Sequence, residues 1–112
     1  VLASSASMFT INNITKRFDL DKYFIDKLSG ADLKASKPHP EIFNKAARSA
    51  CVLNNECIVI EDSSNGILAA KRAGIFCIAY QSKNSRNQDY SLADMVISDY
   101  NRIKYENINQ LL

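Results

Sequence analysis

A chain of 112 residues is long enough for one domain, and a domain of this size buries about two-thirds of the surface that its unfolded chain exposes. Its composition, 46% hydrophobic and 23% charged, is near that of ordinary globular domains and excludes a disordered or collagen-like chain. The formal net charge of +2 is too small to indicate nucleic acid or an anionic membrane as a partner, and no apolar run approaches the roughly 18 residues of a membrane span.

Four short apolar runs are continuous rather than alternating with polar residues, which predicts strands of a parallel sheet covered on both faces. They lie at residues 1–3, 57–60, 75–79 and 95–97. A fifth run, at residues 24–28, is interrupted by Asp26 and Lys27, so we interpret it as an edge strand.

Two helices are predicted between these strands. Apolar residues recur at helical spacing from Pro40, which suits a first helical turn, to Ala50. The second helix is expected to begin at Ser63 or Ser64 and to end at Gly74.

Less regular helical patterns cover residues 8–18 and 102–112, and residues 81–91 form a polar loop. This order of strands and helices predicts an α/β fold with a doubly wound, Rossmann-like parallel sheet in a single domain. Such a sheet binds ligands beyond the carboxyl ends of its strands.

Polar clusters occupy three of the loops where ligands are expected. The first is the serine turn Ser4-Ser5-Ala6-Ser7, directly after the run at residues 1–3 and directly before the helical pattern at residues 8–18. Hydroxyls and free backbone N–H groups in front of a helix can bind a phosphate oxygen. Serines in such a turn are more often plain helix caps, and from this cluster alone the cap is the favoured interpretation.

The second cluster is the loop Lys37-Pro38-His39-Pro40, whose two prolines restrict the backbone on either side of the histidine. A lysine that leaves a restricted loop suits an anionic substrate, although a lone lysine is more commonly just exposed. We interpret His39 as a solvated loop residue, because the chain has no second histidine to share a metal.

The third cluster is Glu61-Asp62, two carboxylates that follow the most apolar predicted strand. Carboxylate oxygens beside a phosphate site fit Mg²⁺, which binds through one or two carboxylates, waters and substrate oxygens. Acidic residues are also favoured at a helix N-terminus, so a helix start explains a single carboxylate equally well. For the pair, both interpretations stay open.

Together these clusters resemble the motifs of the haloacid dehalogenase (HAD) superfamily, in the branch of the β-phosphoglucomutase-like phosphatases. The segment LASS at 2–5 resembles the second motif of the family, SKPHPEIF at 36–43 the third and IVIEDS at 58–63 the fourth. The fourth continues through NGILAAKRAG at 65–74, and ADMVI at 93–97 resembles a late strand of the family.

The resemblance implies a role for each of these residues. Ser4 would bind the transferring phosphoryl group through its hydroxyl, and Ser5 would add a nearby N–H or hydroxyl. Lys37 would offset negative charge and hold the nucleophilic carboxylate near the phosphate. Asp62, with Glu61, would hold Mg²⁺. Phosphoryl transfer mainly demands such positioning and charge neutralisation.

The chain has no acceptable copy of the first family motif, an Asp-x-Asp sequence. In the family, the first Asp becomes an aspartyl-phosphate and the second acts as general acid and base. Asp19-Leu20-Asp21 has the spacing, but Lys22 follows where a glycine turn is expected, so we interpret it as a surface turn. The helical cap domain of the family is absent as well. Residues 1–112 are therefore expected to be the C-terminal part of a HAD-like core domain.

In the family, the strand that carries the first motif lies between the strands predicted here at residues 1–3 and 57–60. Its absence would leave a gap in the centre of the sheet. We expect the N-terminal half of the protein, or a strand of a neighbouring chain, to fill this gap.

The resemblance implies a Mg²⁺-dependent phosphatase or phosphohexomutase that acts on a small phosphorylated metabolite in the cytoplasm. The chain alone is expected to be inactive. The alternative is a short non-catalytic module that binds a phosphorylated ligand or a partner protein. Dehalogenase chemistry is less favoured, because the pair Glu61-Asp62 suits a metal that dehalogenases do not need.

Overall fold

The computed structural model describes residues 1–112, which form five strands and four helices. In chain order these are β1 (Leu2–Ser4), α1 (Met8–Arg17), β2 (Lys27–Ser29), α2 (Glu41–Ser49), β3 (Ile58–Glu61), α3 (Ser64–Arg72), β4 (Phe76–Tyr80), β5 (Met95–Ile97) and α4 (Tyr105–Ile108). All five predicted strands are present. Strand β2 begins at Lys27 rather than at Phe24, so the first three residues of the predicted run lie before the strand. None of the helices is long and apolar enough to cross a membrane.

The predicted C-terminal helix is wrong in its extent. The segment 102–112 contains only the single turn α4, between two short 3₁₀ turns. Its partly buried residues are Ile103, Ile108 and Leu111. This spacing gives a long helix no continuous apolar face to pack, so the chain follows the surface in separate turns.

Every strand pairing is parallel, as predicted for an α/β fold with crossover helices. Strand β1 pairs with β2, with Leu2 opposite Lys27, while β3, β4 and β5 form a second sheet in that order. Helices α1, α2 and α3 each connect one strand to the next. The architecture therefore matches the predicted doubly wound fold.

The two sheets are separated by a groove between β1 and β3, which do not pair with each other. The groove has a volume of about 610 Å³, and fourteen of its fifteen lining residues are hydrophobic. Ile60 of β3 lines it and is 45% exposed, although it lies in the middle of a strand. The expected gap between these strands is therefore present, and what fills it stays a prediction.

The main core lies between the β3–β4–β5 sheet and helices α2 and α3. Ile42 and Phe43 of α2 and Ile67 of α3 pack with Val59 and Cys77 of the strands. Helix α3 reaches the sheet closely, because its inward positions are small residues that are fully buried, Ala69 and Ala70. This packing fixes the N-terminus of α3 beside the end of β3.

Asp94 joins β5 to β4 and to helix α3. Its Oδ2 atom accepts hydrogen bonds from the Cys77 N–H at 2.7 Å and from Lys71 Nζ at 2.6 Å. The Asp94 N–H donates to the Cys77 carbonyl at 2.9 Å. Partial burial would raise the pKa of Asp94, but the hydrogen bonds from Lys71 and Cys77 prevail and lower it below its usual value.

The substitution Asp94→Asn should lower the free energy of unfolding by about 1 to 3 kcal/mol at neutral pH, because it removes a charged hydrogen-bond acceptor. A carboxylate whose pKa is lower in the folded state stabilises the fold above its unfolded pKa of about 3.9 and loses this contribution as the pH falls below that value. The difference between wild type and variant should therefore shrink between pH 6 and pH 3, measured by urea denaturation.

The matched control is Asp32→Asn, since Asp32 is exposed and makes no ion pair. This control should leave the stability and its pH dependence unchanged. An Asp94→Asn effect of the same size at pH 3 and pH 6 would contradict the role of the carboxylate charge.

Candidate active site

A polar cavity of about 510 Å³ opens at the carboxyl ends of β1 and β3. It brings together all five residues predicted from the sequence, although they come from three separate segments: Ser4, Ser5, Lys37, Glu61 and Asp62. The other lining residues are Ala3, Ser63, Ser64, Asn65 and Gln88, so Ala3 is the only apolar one. The structure thus places the predicted residues in one site, and their chemical roles stay predictions.

The serine turn at the end of β1 contains the cap of helix α1. That cap is Ser7, whose Oγ accepts the Thr10 N–H at 3.3 Å. Ser4 Oγ accepts the Ala6 N–H at 3.2 Å within the turn, and the Ser5 side chain makes no hydrogen bond. The helix-cap interpretation is therefore confirmed for Ser7 and wrong for Ser4 and Ser5, whose hydroxyls can still donate hydrogen bonds into the cavity.

Two residues at the end of β2, Ser29 and Gly30, contact this serine turn. Ser29 is 3% exposed, and its Oγ donates to the Ala6 carbonyl at 2.6 Å. Gly30 lies so close to the turn that a Cβ atom there would be 3.2 Å from Ser5 Cα. No local sequence pattern indicates this support, because Ser29 and Ala6 are 23 residues apart.

Lys37 lies in the loop before α2 and pairs with Glu61 at the end of β3. Lys37 Nζ is 2.5 Å from Glu61 Oε1, and each side chain is only 11% exposed. The ammonium group also lies 5.2 Å from the centre of the Phe43 ring, within the range of a cation–π interaction. The ion pair and the ring together fix the lysine at the edge of the cavity.

The second oxygen of Glu61 is also occupied. Oε2 accepts hydrogen bonds from the Asp62 N–H at 3.2 Å, the Ser63 N–H at 3.3 Å and Ser63 Oγ at 3.0 Å. Ser63 is the N-cap of α3, since its Oγ also accepts the Gly66 N–H at 3.1 Å. Both carboxylate oxygens of Glu61 therefore already have protein partners.

Asp62 is exposed to the cavity and has one side-chain hydrogen bond, from Ser85 Oγ to Oδ2 at 3.1 Å. No group of three His, Cys, Asp or Glu side chains could hold a metal without help. Mg²⁺ does not need such a group, since it is often bound by one or two carboxylates with waters and substrate phosphates. The open carboxylate of Asp62 fits Mg²⁺ as one protein ligand.

The loop at residues 81–91 closes over the N-terminus of α3. Gln88 Oε1 accepts the Ser64 N–H at 2.7 Å and Ser64 Oγ at 3.1 Å, while the Asp89 N–H donates to Ser64 Oγ at 2.6 Å. The sequence identified this segment only as a polar loop. Its site residues, Gln88 and Ser85, were missed because their partners lie more than 20 residues away and leave no local pattern.

Neither Asp19-Leu20-Asp21 nor the Cys77 thiol provides a substitute for the Asp-x-Asp motif in the cavity. Asp19 and Asp21 pair with Lys22 at 2.8 Å and Lys27 at 2.6 Å on the surface, as the surface-turn interpretation expects. Burial raises the pKa of the Cys77 thiol to about 11, so it is protonated at neutral pH and unreactive. Neither this segment nor Cys77 lines the cavity.

Comparison with known proteins gives consistent relatives. The family model described as haloacid dehalogenase-like hydrolase matches residues 1–80. Hexitol phosphatase B of Escherichia coli K12 is 32% identical over 98 residues, which are 87% of this chain and 44% of that protein.

Solved structures share the fold. The β-phosphoglucomutase of Clostridium difficile superposes with a TM-score of 0.78 at 29% identity, over 97% of this chain and 47% of that one. CbbY of Rhodobacter sphaeroides, solved with xylulose-1,5-bisphosphate, has a TM-score of 0.79 at 27% identity over 88% of this chain and 46% of that one. The chain spans less than half the length of each of these three proteins.

The substitution Gln88→Ala should release the loop from α3. Because the Ser64 N–H loses its acceptor, we expect its amide hydrogen to exchange up to about tenfold faster, the equivalent of roughly one hydrogen bond. Hydrogen–deuterium exchange by NMR measures this rate. The control is Gln81→Ala, at the start of the same loop, where the side chain is exposed and makes no hydrogen bond. Equal exchange at Ser64 in both variants would contradict the contact.

Proposed function

This chain belongs to the haloacid dehalogenase-like hydrolase family, and we propose that it forms the phosphate- and metal-binding part of an enzyme that transfers phosphoryl groups of small phosphorylated metabolites. The observation that carries this proposal is the cavity itself. It combines two hydroxyls that are free to donate hydrogen bonds, one fixed ammonium group and one open carboxylate at the carboxyl ends of parallel strands. The related phosphatase and phosphoglucomutase support this reaction class.

The serines and the lysine are the proposed phosphate site. Ser4 and Ser5 donate hydrogen bonds to phosphate oxygens, and the Lys37 ammonium group offsets their negative charge. The charge of a transferring phosphoryl group is spread over its equatorial oxygens, so several donors held in place stabilise it better than one. The ion pair and the cation–π contact of Lys37 limit its motion, which reduces the entropy lost on binding.

Asp62 is the proposed ligand of Mg²⁺. When bound, the ion would neutralise charge on the phosphoryl oxygens. Ser85 donates to one oxygen of the Asp62 carboxylate and so restricts its rotation, which leaves the other oxygen open toward the cavity. The remaining ligands would be waters, substrate oxygens and groups outside residues 1–112.

The nucleophile of this proposal, an aspartate that becomes an aspartyl-phosphate, also lies outside residues 1–112. We propose that it comes on a strand that fills the groove between β1 and β3, from the N-terminal half of the protein or from a neighbouring chain. Both edges of the groove carry unpaired backbone groups, and its walls are apolar. A strand inserted there would end beside the cavity, next to Ser4 and Glu61.

A second candidate is a non-catalytic module that binds a phosphorylated ligand. The serines and the lysine favour it, because they could bind phosphate without any reaction. The two functions differ in turnover, which only the enzyme shows.

The 112-residue chain alone should not hydrolyse p-nitrophenyl phosphate in the presence of Mg²⁺, because its cavity groups bind and neutralise but none attacks. The full-length protein should hydrolyse this substrate and should require Mg²⁺. Phosphate release by a colour assay measures both. Turnover by a mass-verified 112-residue preparation, or none by the full-length protein, would contradict the proposal.

In the full-length protein, Asp62→Asn should weaken both Mg²⁺ binding and turnover more than Glu61→Gln. An amide supplies an oxygen without the charge, and Asp62 is the carboxylate with an oxygen free to meet the ion. Calorimetric titration with Mg²⁺ measures the binding. Equal Mg²⁺ dependence in wild type and Asp62→Asn would remove Asp62 from the metal site.

The substitution Ile60→Asn tests the filled groove. In the isolated chain it should change the free energy of unfolding by less than about 0.5 kcal/mol, as expected for a surface position. In the full-length protein it should cost about 1 to 3 kcal/mol, because an inserted strand would bury the amide. The control is Val96→Asn on β5, where Val96 is 48% exposed and outside the groove. An Ile60→Asn cost that is the same in both proteins would argue against a strand in the groove.

A further inference from the structure

We infer that Glu61 is a positioning residue for Lys37 and not a ligand of the metal, an inference that rests on the proposed function. The two adjacent carboxylates would then have different roles. Asp62 binds the cation, and Glu61 holds the Lys37 ammonium group in position for the phosphate. The sequence had assigned both to Mg²⁺.

The hydrogen bonds of Glu61 support this division. Its Oε1 atom is 2.5 Å from Lys37 Nζ, and its Oε2 atom accepts three hydrogen bonds from Asp62 and Ser63. A carboxylate offers about four lone-pair positions, so little capacity is left for a metal. Asp62, one residue away, has a single side-chain partner and faces the cavity.

The Glu61 carboxylate packs directly against Gly66 of helix α3. A Cβ atom at position 66 would lie 2.0 Å from Glu61 Cδ and 2.2 Å from Oε2, so any side chain there would displace the carboxylate. The Gly66 N–H is bound to Ser63 Oγ, the same hydroxyl that donates to Glu61. Glycine at this position therefore keeps Glu61 within reach of Lys37.

The position of Lys37 depends on this arrangement. Its loop has no contact that would fix the ammonium group apart from Glu61 and the Phe43 ring. A lysine ammonium has three donors on a flexible stem, so one bond to Glu61 leaves two donors for phosphate oxygens while it restricts the stem. Without Glu61, the Lys37 ammonium group would keep its positive charge but would no longer be held in this position.

The test uses the full-length protein with the variants Glu61→Gln, Lys37→Gln, the double variant and Asp62→Asn. We expect Glu61→Gln to leave the Mg²⁺ dissociation constant unchanged, whereas Asp62→Asn raises it about tenfold or more. Glu61→Gln should lower kcat at saturating Mg²⁺, and it should have no further effect in the Lys37→Gln background. This coupling follows if Glu61 acts only through Lys37.

A second readout follows the lysine directly. The side-chain ammonium signal of Lys37 in a ¹⁵N NMR spectrum, visible when the group is held by an ion pair, should disappear in Glu61→Gln. Gly66→Ala should have the same effect with both Glu61 and Lys37 present, because its Cβ displaces the carboxylate. Alanine is a better helix former than glycine, so α3 should persist. In a Glu61→Ala background, which leaves room for the methyl group and already lacks the Lys37 signal, Gly66→Ala should leave kcat unchanged.

Loss of Mg²⁺ affinity in Glu61→Gln equal to that in Asp62→Asn would overturn the inference. So would a Glu61→Gln effect on kcat that persists when Lys37 is already glutamine. If the full-length protein shows no Mg²⁺-dependent phosphatase activity, the proposed function fails by itself. The Mg²⁺ titrations and the Lys37 signal then still decide which group Glu61 holds.

Discussion

Helix α2 and the ion pair between Lys37 and Glu61 hold together two sheets that share no strand pairing. Ile42 and Phe43 of α2 pack in the same apolar cluster as Leu28 of β2 and Val59 of β3. The ion pair joins the loop before α2 to the end of β3, with both charges largely removed from water. Breaking a pair of this kind leaves one buried charge without a partner, which is far more costly than breaking an exposed pair. The ion pair therefore connects the two sheets at the edge of the cavity.

The fold was accessible from the sequence because it depends on local patterns. Continuous apolar runs gave the strands, and the cap and stop residues Ser63 and Gly74 gave the bounds of α3. The interrupted run before Leu28 was ambiguous because of its two charges. The structure explains them: Asp26 accepts a hydrogen bond from Ser49, and Lys27 pairs with Asp21, so both charges are satisfied at the edge of the sheet.

The site was accessible only in part. All five predicted residues line the cavity, because parallel strands bring their carboxyl ends to the same edge. Their partners were not predictable. The contacts of Lys37 with Glu61 and of Gln88 with Ser64 each span 24 residues, and only the folded chain defines them. The different roles proposed for Glu61 and Asp62 were not predictable from the sequence either, because only their hydrogen bonds distinguish two adjacent carboxylates.

The open groove also bears on the order in which the protein can fold. The buried residues Ile67, Ala69, Ala70 and Cys77 pack α3 against the β3–β4–β5 sheet, and none of them lines the groove. This part of the core does not depend on the proposed strand in the groove, so it can form before that strand is inserted. Such a late insertion would close a long loop after β1 and β3 are already ordered. The conformational entropy of ordering these two strands would then have been lost before the inserted strand binds.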